Sequence, residues 1–229
     1  MPGYLIATIK SWNIQSADRL RKQYDIKVIT DKEELTLEYV KELNPRYIFF
    51  PHWSWKIPEE IYENYECVGF HETDLPYGRG GSPIQNLIVR GFTNTKISAL
   101  RVTGEIDAGP IYLKRDLALE GTATDIFNRA AEIISNMIRH IISKEPKPAP
   151  QEGKATVFQR RTPEQSEISN FQDVPNAYEH IRMLDAEGYP LAFIETPKLR
   201  IEFTECKIDG DCIVAQARIM DKPRIKVKQ

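Results

Sequence analysis

Two polar side chains, each in its own glycine-containing segment, are the candidates for chemistry in this sequence. His71 is followed by a polar segment, residues 72–83, that is rich in glycine. A histidine in such a segment can titrate near neutrality and reach a bound substrate. Asp107 lies in a second such segment, residues 104–109. Neither residue defines a site by itself, because loop histidines are common and an Asp close to a Gly is ordinary turn chemistry.

The elements before His71 predict a parallel sheet. Short apolar runs alternate with amphipathic stretches over residues 4–9, 16–24, 26–30, 32–43 and 47–50. That alternation is typical of βαβ units. A further apolar strand, residues 66–70, ends directly before His71. Because ligands bind beyond the C-terminal ends of strands in an open parallel sheet, His71 lies where a site is expected.

The second half of the chain predicts a long helix and a smaller β-rich region. Apolar residues recur with helical periodicity from residue 122 to residue 142, and the prolines that follow cannot continue that helix. The β-rich runs are residues 96–103, 110–119, 191–196, 199–206 and 212–219, with a short helix over residues 176–184. The first two runs flank the segment that holds Asp107, so that segment can face the same cleft as His71.

The predicted fold is therefore of the α/β class, a Rossmann-like, mostly parallel sheet flanked by helices with a small C-terminal β-rich subdomain. The predicted boundaries are residues 1–150 for the main domain, residues 151–187 for a linker with a helix, and residues 188–229 for the β subdomain.

Charge and composition disfavour several classes of protein. The 229 residues include 31 Lys and Arg against 33 Asp and Glu, so no field of one sign is available to hold a polyanion. The apolar runs are too short to cross a bilayer and the first residues resemble a strand more than a signal peptide, which makes the cytoplasm the expected location. The three cysteines form no CxxC pair, which argues against a disulfide framework and a zinc site.

Residues 70–88 resemble the signature of the folate-dependent formyltransferases. In that signature a His is followed by Leu-Pro, then by Arg-Gly, then by a Pro that begins a helix. The matching residues here are His71, Leu75, Pro76, Arg79, Gly80 and Pro83. A second signature of the family, an Asp followed by a small residue and a Gly, is similar to residues 107–109 and lies at the expected distance from the His.

The resemblance extends over about residues 47–194. Within it, residues 176–194 are similar to the segment that joins the two domains of methionyl-tRNA and sugar formyltransferases. The family fold is the one predicted above, so the resemblance implies a formyltransferase fold. It also implies an enzyme that moves the formyl group of 10-formyltetrahydrofolate onto an amine.

The resemblance implies roles for individual residues and no metal ion. His71 would stabilise an oxyanion or act as a general acid, and Asp107 would act as a base or orient the histidine. The implied folate contacts are Phe50, Pro51, Trp53, Thr103, Gly104, Glu105 and Ile106. The implied substrate contacts are Thr73, Arg79, Gly80 and Gly81. Ordinary packing explains Trp53 equally well, and Arg79 could equally point into solvent.

The sequence departs from the family at Gly69. The family has an Asn at this position, two residues before the His, and the Asn donates a hydrogen bond to the formyl oxygen. We expect another donor to fill that space, either a backbone N–H of the glycine-rich loop or a side chain. The side-chain candidates are His52, Thr73 and Asn86. His52 ranks first because it follows the strand of residues 47–50, so it joins His71 and Asp107 as a predicted catalytic residue.

The amine acceptor is predicted by elimination. A short region before His71 and a C-terminal region that is not notably basic before residues 222–228 disfavour tRNA without excluding it. No glycine-rich phosphate loop follows the first strand, which disfavours glycinamide ribonucleotide. The favoured acceptor is therefore a nucleotide-linked amino sugar.

Two alternatives stay open beside that acceptor. One is a methionyl-tRNA formyltransferase, and the other is a catalytically inactive relative that binds folate or a sugar nucleotide. A nucleotide-dependent dehydrogenase is disfavoured because no GxGxxG motif follows the first strand. The expected partners are folate and an amine acceptor, with no membrane, and a homodimer is left open.

Overall fold

The computed structural model describes residues 3–222 of the chain. Its strands are β1 (Tyr4–Ala7), β2 (Ile26–Ile29), β3 (Tyr47–Phe50), β4 (Cys67–His71), β5 (Arg79–Gly80), β6 (Asn94–Arg101), β7 (Ile111–Ala118), β8 (Val157–Phe158), β9 (Ala192–Glu195), β10 (Leu199–Asp209) and β11 (Cys212–Asp221). Its helices are α1 (Ser11–Leu20), α2 (Leu37–Leu43), α3 (Glu59–Tyr62), α4 (Pro83–Ile88), α5 (Ala123–Lys144) and α6 (Val174–Arg182). None of the described helices is both long and apolar enough to cross a membrane.

Six strands form one mixed sheet in the order β2-β1-β3-β4-β6-β7. The pairs among β2, β1, β3 and β4 are parallel, whereas β6 is antiparallel to both β4 and β7. This architecture, with the antiparallel sheet β11-β10-β9 near the C-terminus, confirms the predicted fold class. The strand order changes direction between β1 and β3, so their C-terminal ends flank the crevice at which such sheets bind ligands.

Both faces of the six-stranded sheet are covered, which explains why β1 and β3 are buried along their whole length. On one face, Ile48, Phe50 and Cys67 pack with Val40 of α2 and Ile61 of α3. On the other face, side chains of β1, α1 and α5 meet around a small apolar cavity. Because side chains alternate along a strand, Gly69 and His71 share the face of Cys67, and Glu72 follows toward the opposite face.

The chain forms two compact units, and each is discontinuous in sequence. The first contains the six-stranded sheet and consists of the described residues up to Pro83, Asn94–Ala118 and Phe127–Gln159. The second contains the three-stranded sheet and α6, and it includes Ile84–Thr93 and Leu119–Ile126. The contiguous boundaries at residues 150 and 187 stay a prediction.

Hydrogen bonds of Arg182 hold the segments of the second unit together. The guanidinium of this buried residue donates to the carbonyl oxygens of Leu119 at 2.6 Å and Gly121 at 2.8 Å. The Gln85 amide donates to the carbonyl oxygen of Met183 at 3.1 Å. These bonds join α4, the segment before α5, and α6 with the residue that follows it, so the second unit is held together by side chains as well as by its sheet.

The three cysteines are free thiols. Cys67 is buried in β4, and burial raises its pKa to about 12. Cys206 is also buried, and burial raises its pKa to about 11. Cys212 is exposed at the first position of β11, directly after the turn of the β10–β11 hairpin.

Candidate functional site

His71 and Asp107 meet beyond the C-terminal end of β4. His71 is the last residue of that strand, and Asp107 lies in the loop between β6 and β7. The His71 Nδ1 atom and the Asp107 Oδ2 atom are 3.6 Å apart, with the two side chains 8% and 23% exposed. This separation is longer than a hydrogen bond, and a small side-chain movement or one bridging water would close it. The structure therefore brings together the imidazole and the carboxylate that the two signatures contain.

The second ring nitrogen of His71 holds the glycine-rich loop. His71 Nε2 lies 2.8 Å from the carbonyl oxygen of Gly78. A carbonyl can only accept, so Nε2 carries a proton and donates in this contact. Nδ1 is then the nitrogen that faces Asp107, and proton exchange between the ring and the carboxylate would use that edge.

The backbone conformation of Asp107 and a hydrogen bond from the glycine-rich loop hold its carboxylate in place. Asp107 has a φ of 52°, a left-handed conformation that costs free energy in a residue with a side chain. Its Oδ2 atom accepts a hydrogen bond from the backbone N–H of Gly80 at 2.9 Å. Two residues later, a Cβ atom at Gly109 would lie 1.8 Å from the carbonyl oxygen of Arg101, so no other residue fits there. The Asp-Ala-Gly signature thus combines a functional group with a required glycine.

The backbone N–H groups of residues 78–81 all have partners within the protein. These are Thr156 Oγ1 for Gly78 at 2.7 Å, Thr156 O for Arg79 at 3.0 Å, Asp107 Oδ2 for Gly80 at 2.9 Å and Phe158 O for Gly81 at 3.2 Å. The short parallel pairing of β5 with β8 accounts for part of this pattern. In this conformation the glycine-rich loop therefore offers no unused backbone donor from residues 78–81 to a formyl oxygen.

The Arg79 guanidinium lies against Gln151 and donates to its Oε1 atom from Nε at 3.2 Å and from Nη2 at 2.8 Å. The Gln151 Nε2 atom donates to the carbonyl oxygens of Asp107 at 2.7 Å and Gly109 at 2.8 Å. Gln151 belongs to this site, yet it lies 44 residues beyond Asp107 in a segment with no motif. A substrate contact of Arg79 stays a prediction.

His52 lies at the end of β3 in a closed environment of its own. Its Nδ1 atom accepts a hydrogen bond from the Asn13 side-chain amide at 2.8 Å, and Nε2 lies 3.2 Å from Glu72 Oε1. The Nε2–Oε1 contact is not aligned as a hydrogen bond, and neither atom has another partner among the described residues. Burial is the main influence on His52 and lowers its pKa, against the opposing effect of Glu72.

Both ring nitrogens of His52 thus face protein groups. Donation to a ligand would require the ring to leave Glu72. Its catalytic role stays a prediction.

The position of the missing Asn has room for a Cβ atom. A Cβ atom at Gly69 would lie 3.6 Å from the side chains of Leu100 and Val102, which is ordinary van der Waals contact. Of the other proposed donors, the buried Thr73 hydroxyl lies 3.5 Å from the Gly78 carbonyl oxygen. Asn86 belongs to the second unit, where its side-chain oxygen accepts a hydrogen bond from Arg90 at 3.0 Å.

The residues predicted to contact folate fall into two groups. Phe50 packs in the cluster on the α2 side of the sheet together with Trp53, whereas Pro51 lines the cavity on the α1 and α5 side. The loop residues 103–105 are exposed, and Ile106 beside Asp107 is 77% exposed. The structure therefore does not bring the Phe50 and Pro51 side chains to one surface. Their contacts with folate, like those of the loop, stay predictions. Among residues 3–222, no group of three or more His, Cys, Asp or Glu side chains is placed to hold a metal ion.

Comparisons with known proteins indicate the family of the chain. A family model described as the C-terminal domain of methionyl-tRNA formyltransferase matches residues 163–220. A solved structure of methionyl-tRNA formyltransferase from Clostridium thermocellum is 55% identical and covers 97% of this chain and 100% of that chain, with a TM-score of 0.95. The methionyl-tRNA formyltransferase of Bacillus cytotoxicus is 29% identical over 171 residues, which are 71% of this chain and 54% of that protein.

Other similarities are partial or distant. The matches in further curated relatives cover 37% to 63% of their lengths, so the chain spans less than two thirds of those proteins. HypX from Aquifex aeolicus, in a structure with tetrahydrofolic acid, is 17% identical with a TM-score of 0.74, over 89% of this chain and 37% of that chain. At this identity the likeness shows the shared fold alone.

The prediction that the acceptor is a nucleotide-linked amino sugar is wrong, because the 55% identical relative and the curated relatives above are methionyl-tRNA formyltransferases. The argument against tRNA also fails. It relied on a short region before His71 and on a C-terminal region that is not notably basic before residues 222–228, and residues 163–220 nevertheless match the C-terminal domain of those enzymes. On its two signatures and its identity with the Clostridium thermocellum protein, the chain belongs to the folate-dependent formyltransferase family.

Proposed function

We propose that the chain is a methionyl-tRNA formyltransferase, which moves the formyl group of 10-formyltetrahydrofolate onto the amino group of methionine carried by tRNA. The observation that carries the proposal is the His71–Asp107 pair, 3.6 Å apart at the C-terminal edge of the sheet, in a chain 55% identical to a methionyl-tRNA formyltransferase. A nearly neutral net charge of −2 does not oppose it, since a local basic surface is enough to contact tRNA.

The reaction requires two proton transfers and the stabilisation of one developing negative charge. The amine nitrogen forms a bond to the formyl carbon, the bond from that carbon to the folate nitrogen breaks, and the amine proton leaves while the folate nitrogen gains one. Because Nε2 of His71 is bonded to the Gly78 carbonyl oxygen, the ring would donate from Nδ1, on the side that faces Asp107, to the developing oxyanion or to the leaving nitrogen. Asp107 would accept the amine proton or hold the ring. The 10-formyltetrahydrofolate molecule supplies the activated formyl group.

The proposed ligand contacts follow the placement of the side chains around this pair. Trp53 and the exposed loop of residues 103–106 are proposed to contact folate, with Phe50 behind Trp53, their rings 6.2 Å apart. Thr73, Arg79, Gly80 and Gly81 are proposed to border the acceptor, since they lie in the loop that His71 holds. Pro51 is also proposed to contact folate, through its backbone, because its side chain lies on the α1 and α5 side of the sheet.

The proposed tRNA contacts involve the C-terminal part of the chain. Residues 163–220 include α6 and nearly all of the three-stranded sheet. Of the basic stretch at residues 222–228, only Lys222 lies within the described residues, where its ammonium group pairs with Glu195. We propose that this stretch contributes to tRNA binding. A cytoplasmic location is part of the same proposal, and a homodimer stays a prediction.

A formylation assay tests the proposed function. The full chain is incubated with 10-formyltetrahydrofolate and methionyl initiator tRNA, and formyl-methionine is measured after the ester is cleaved. Uncharged tRNA supplies the polyanion without the amine, and free methionine supplies the amine without the polyanion. Product is expected only with the charged tRNA. Binding of tetrahydrofolate without any formyl transfer to that tRNA would contradict the proposal and favour an inactive relative.

A further inference from the structure

The Gln151 side chain connects the two loops that form the candidate site. It receives hydrogen bonds from Arg79 in the glycine-rich loop and donates to the carbonyl oxygens of Asp107 and Gly109 in the β6–β7 loop, at distances from 2.7 to 3.2 Å. All these residues belong to the first compact unit. One amide group thus uses both of its N–H donors and its acceptor in the site.

The chemistry of these partners specifies an amide. Two carbonyl oxygens require donors, and the Arg79 guanidinium requires an acceptor. A carboxylate would offer only acceptors and an ammonium group only donors. Arg79 also fixes which way the amide is turned, because its N–H groups must face Oε1, and Nε2 then points at the two carbonyl groups. Arg79 therefore braces Gln151, and Gln151 in turn holds the β6–β7 loop.

Asp107, the residue that Gln151 holds, has a strained backbone, so loss of the Gln151 contact should change the position of Asp107. Asp107 has a left-handed backbone with a φ of 52°, a conformation that persists only where surrounding contacts enforce it. Gln151 holds its carbonyl oxygen on one side, and the Gly80 N–H holds its carboxylate on the other. Relaxation of the backbone would move Oδ2 away from His71 Nδ1, across a gap that is already 3.6 Å.

We propose that Gln151 is a positioning residue for formyl transfer, which acts through Asp107 and is oriented by Arg79. The inference rests on the proposed function for its kinetic consequence. Gln151 fixes the direction of the Asp107 carboxylate and does not touch the reacting atoms. Its loss should therefore lower kcat and leave the KM for 10-formyltetrahydrofolate nearly unchanged.

The sharpest variant is Gln151→Glu, which keeps the size of the side chain and its acceptor for Arg79 but replaces the donor that faces two carbonyl oxygens. We expect kcat to fall by about 10- to 100-fold, the usual effect of a small misplacement at a reacting centre. The matched control is Gln85→Glu in the second unit, which removes an amide donor from one carbonyl oxygen, that of Met183. Its kcat should stay within about twofold of the wild type.

A double-mutant cycle separates positioning from general loss of stability. If Arg79 acts on kcat through Gln151, adding Arg79→Ala to Gln151→Glu should lower kcat no further, because residues in one hydrogen-bond network are not additive. The proposed contact of Arg79 with the acceptor would show separately, as a higher KM for methionyl-tRNA in both Arg79→Ala enzymes. Additive losses in kcat would contradict the proposal that Arg79 orients Gln151. A Gln151→Glu enzyme with wild-type kcat on a substrate that the wild type formylates would contradict the positioning role and leave the proposed function intact.

A second readout does not depend on the acceptor. Crystal structures of the wild type and Gln151→Glu are compared at the Asp107 carboxylate, where we expect the bond from the Gly80 N–H, 2.9 Å in the wild type, to be broken in the variant. An unchanged Asp107 in the variant would overturn the inference even if the tRNA assay had failed. Failure of that assay alone would overturn only the proposed function.

Discussion

Two histidine–carboxylate pairs lie at the ends of neighbouring strands and differ in what surrounds them. His71 follows Phe70 at the end of β4 and meets Asp107 from a different loop, whose carboxylate is 23% exposed and held by a backbone N–H. His52 follows β3 and meets Glu72, whose carboxylate is 7% exposed and lies in poor hydrogen-bond alignment with the ring. The first pair has a carboxylate that is fixed by the backbone and partly open, which suits chemistry on a ligand, although its imidazole is as buried as that of His52, at 8% against 11% exposed. The second is enclosed by Trp12 and Phe127, which suits a role inside the fold.

The largest effect that distinguishes the two pairs should come from His71→Ala and Asp107→Asn. Each removes a group assigned to proton transfer or oxyanion stabilisation, so kcat for formylation should fall by about 10²- to 10⁴-fold. Steady-state kinetics on methionyl initiator tRNA measures the loss. The matched control is His140→Ala on α5, which should keep wild-type kcat. Wild-type kinetics in either site variant would remove this pair from the mechanism.

A smaller effect of opposite sign is expected from Gly69→Asn, on the same face of the sheet as His71. The space beside Gly69 accepts a Cβ atom, and the new amide would supply the oxyanion donor that the family has at this position. Such donors are worth about 10²- to 10³-fold elsewhere, and we expect a smaller rise in kcat of about tenfold here because His71 is proposed to donate to the same oxyanion.

The control for that gain is Gly69→Ala, which fills the space without a donor. Its kcat should not rise. Equal kinetics of the Asn and Ala variants would show that the position has no access to the formyl oxygen.

The smallest expected effect is the contribution of His52 to the pH dependence of folding stability. Burial lowers the pKa of His52 in the folded chain below the unfolded value of about 6.5, so the unfolded state takes up the proton first as the pH falls. The stabilisation is therefore complete above about pH 6.5 and is lost below it, by up to about 1.4 kcal/mol per pH unit for one proton.

The variant His52→Gln should flatten that loss, as measured by urea unfolding above and below about pH 6.5. Burial also lowers the pKa of His180, which contributes equally to both proteins. Parallel pH profiles would show that His52 is not the titrating group. The same variant tests the predicted donor role, since loss of an oxyanion donor would also lower kcat by about 10²-fold or more.

The contrast between these pairs also marks how far the sequence could predict the site. The pairing of His71 with Asp107 followed from two family signatures, and the sheet followed from the alternation of apolar and amphipathic stretches. The environment of His52 could not be predicted, because Asn13 and Glu72 reach it from 39 residues before and 20 residues after, without a motif. Gln151 was missed for the same reason, since its contacts span 42 to 72 residues.

The acceptor was predicted wrongly for a different physical reason. Net charge and the length of the region before His71 are averages over the chain, whereas recognition depends on local surfaces that such averages do not locate. Each of the two compact units also consists of separate sequence segments, which the position of a single linker cannot predict. The second unit takes residues from before β6, from the start of α5 and from the C-terminal part of the chain.

The exposed thiol at the start of β11 has a practical consequence for studying this protein. The high pKa values of the buried Cys67 and Cys206 keep both groups in the weakly nucleophilic protonated form at neutral pH, and burial shields them from reagents. A maleimide dye should therefore attach to Cys212 alone, so neither of the other two cysteines has to be replaced first. The label would sit beside the turn of the β10–β11 hairpin, where a change in fluorescence anisotropy would report directly on a large molecule docking nearby.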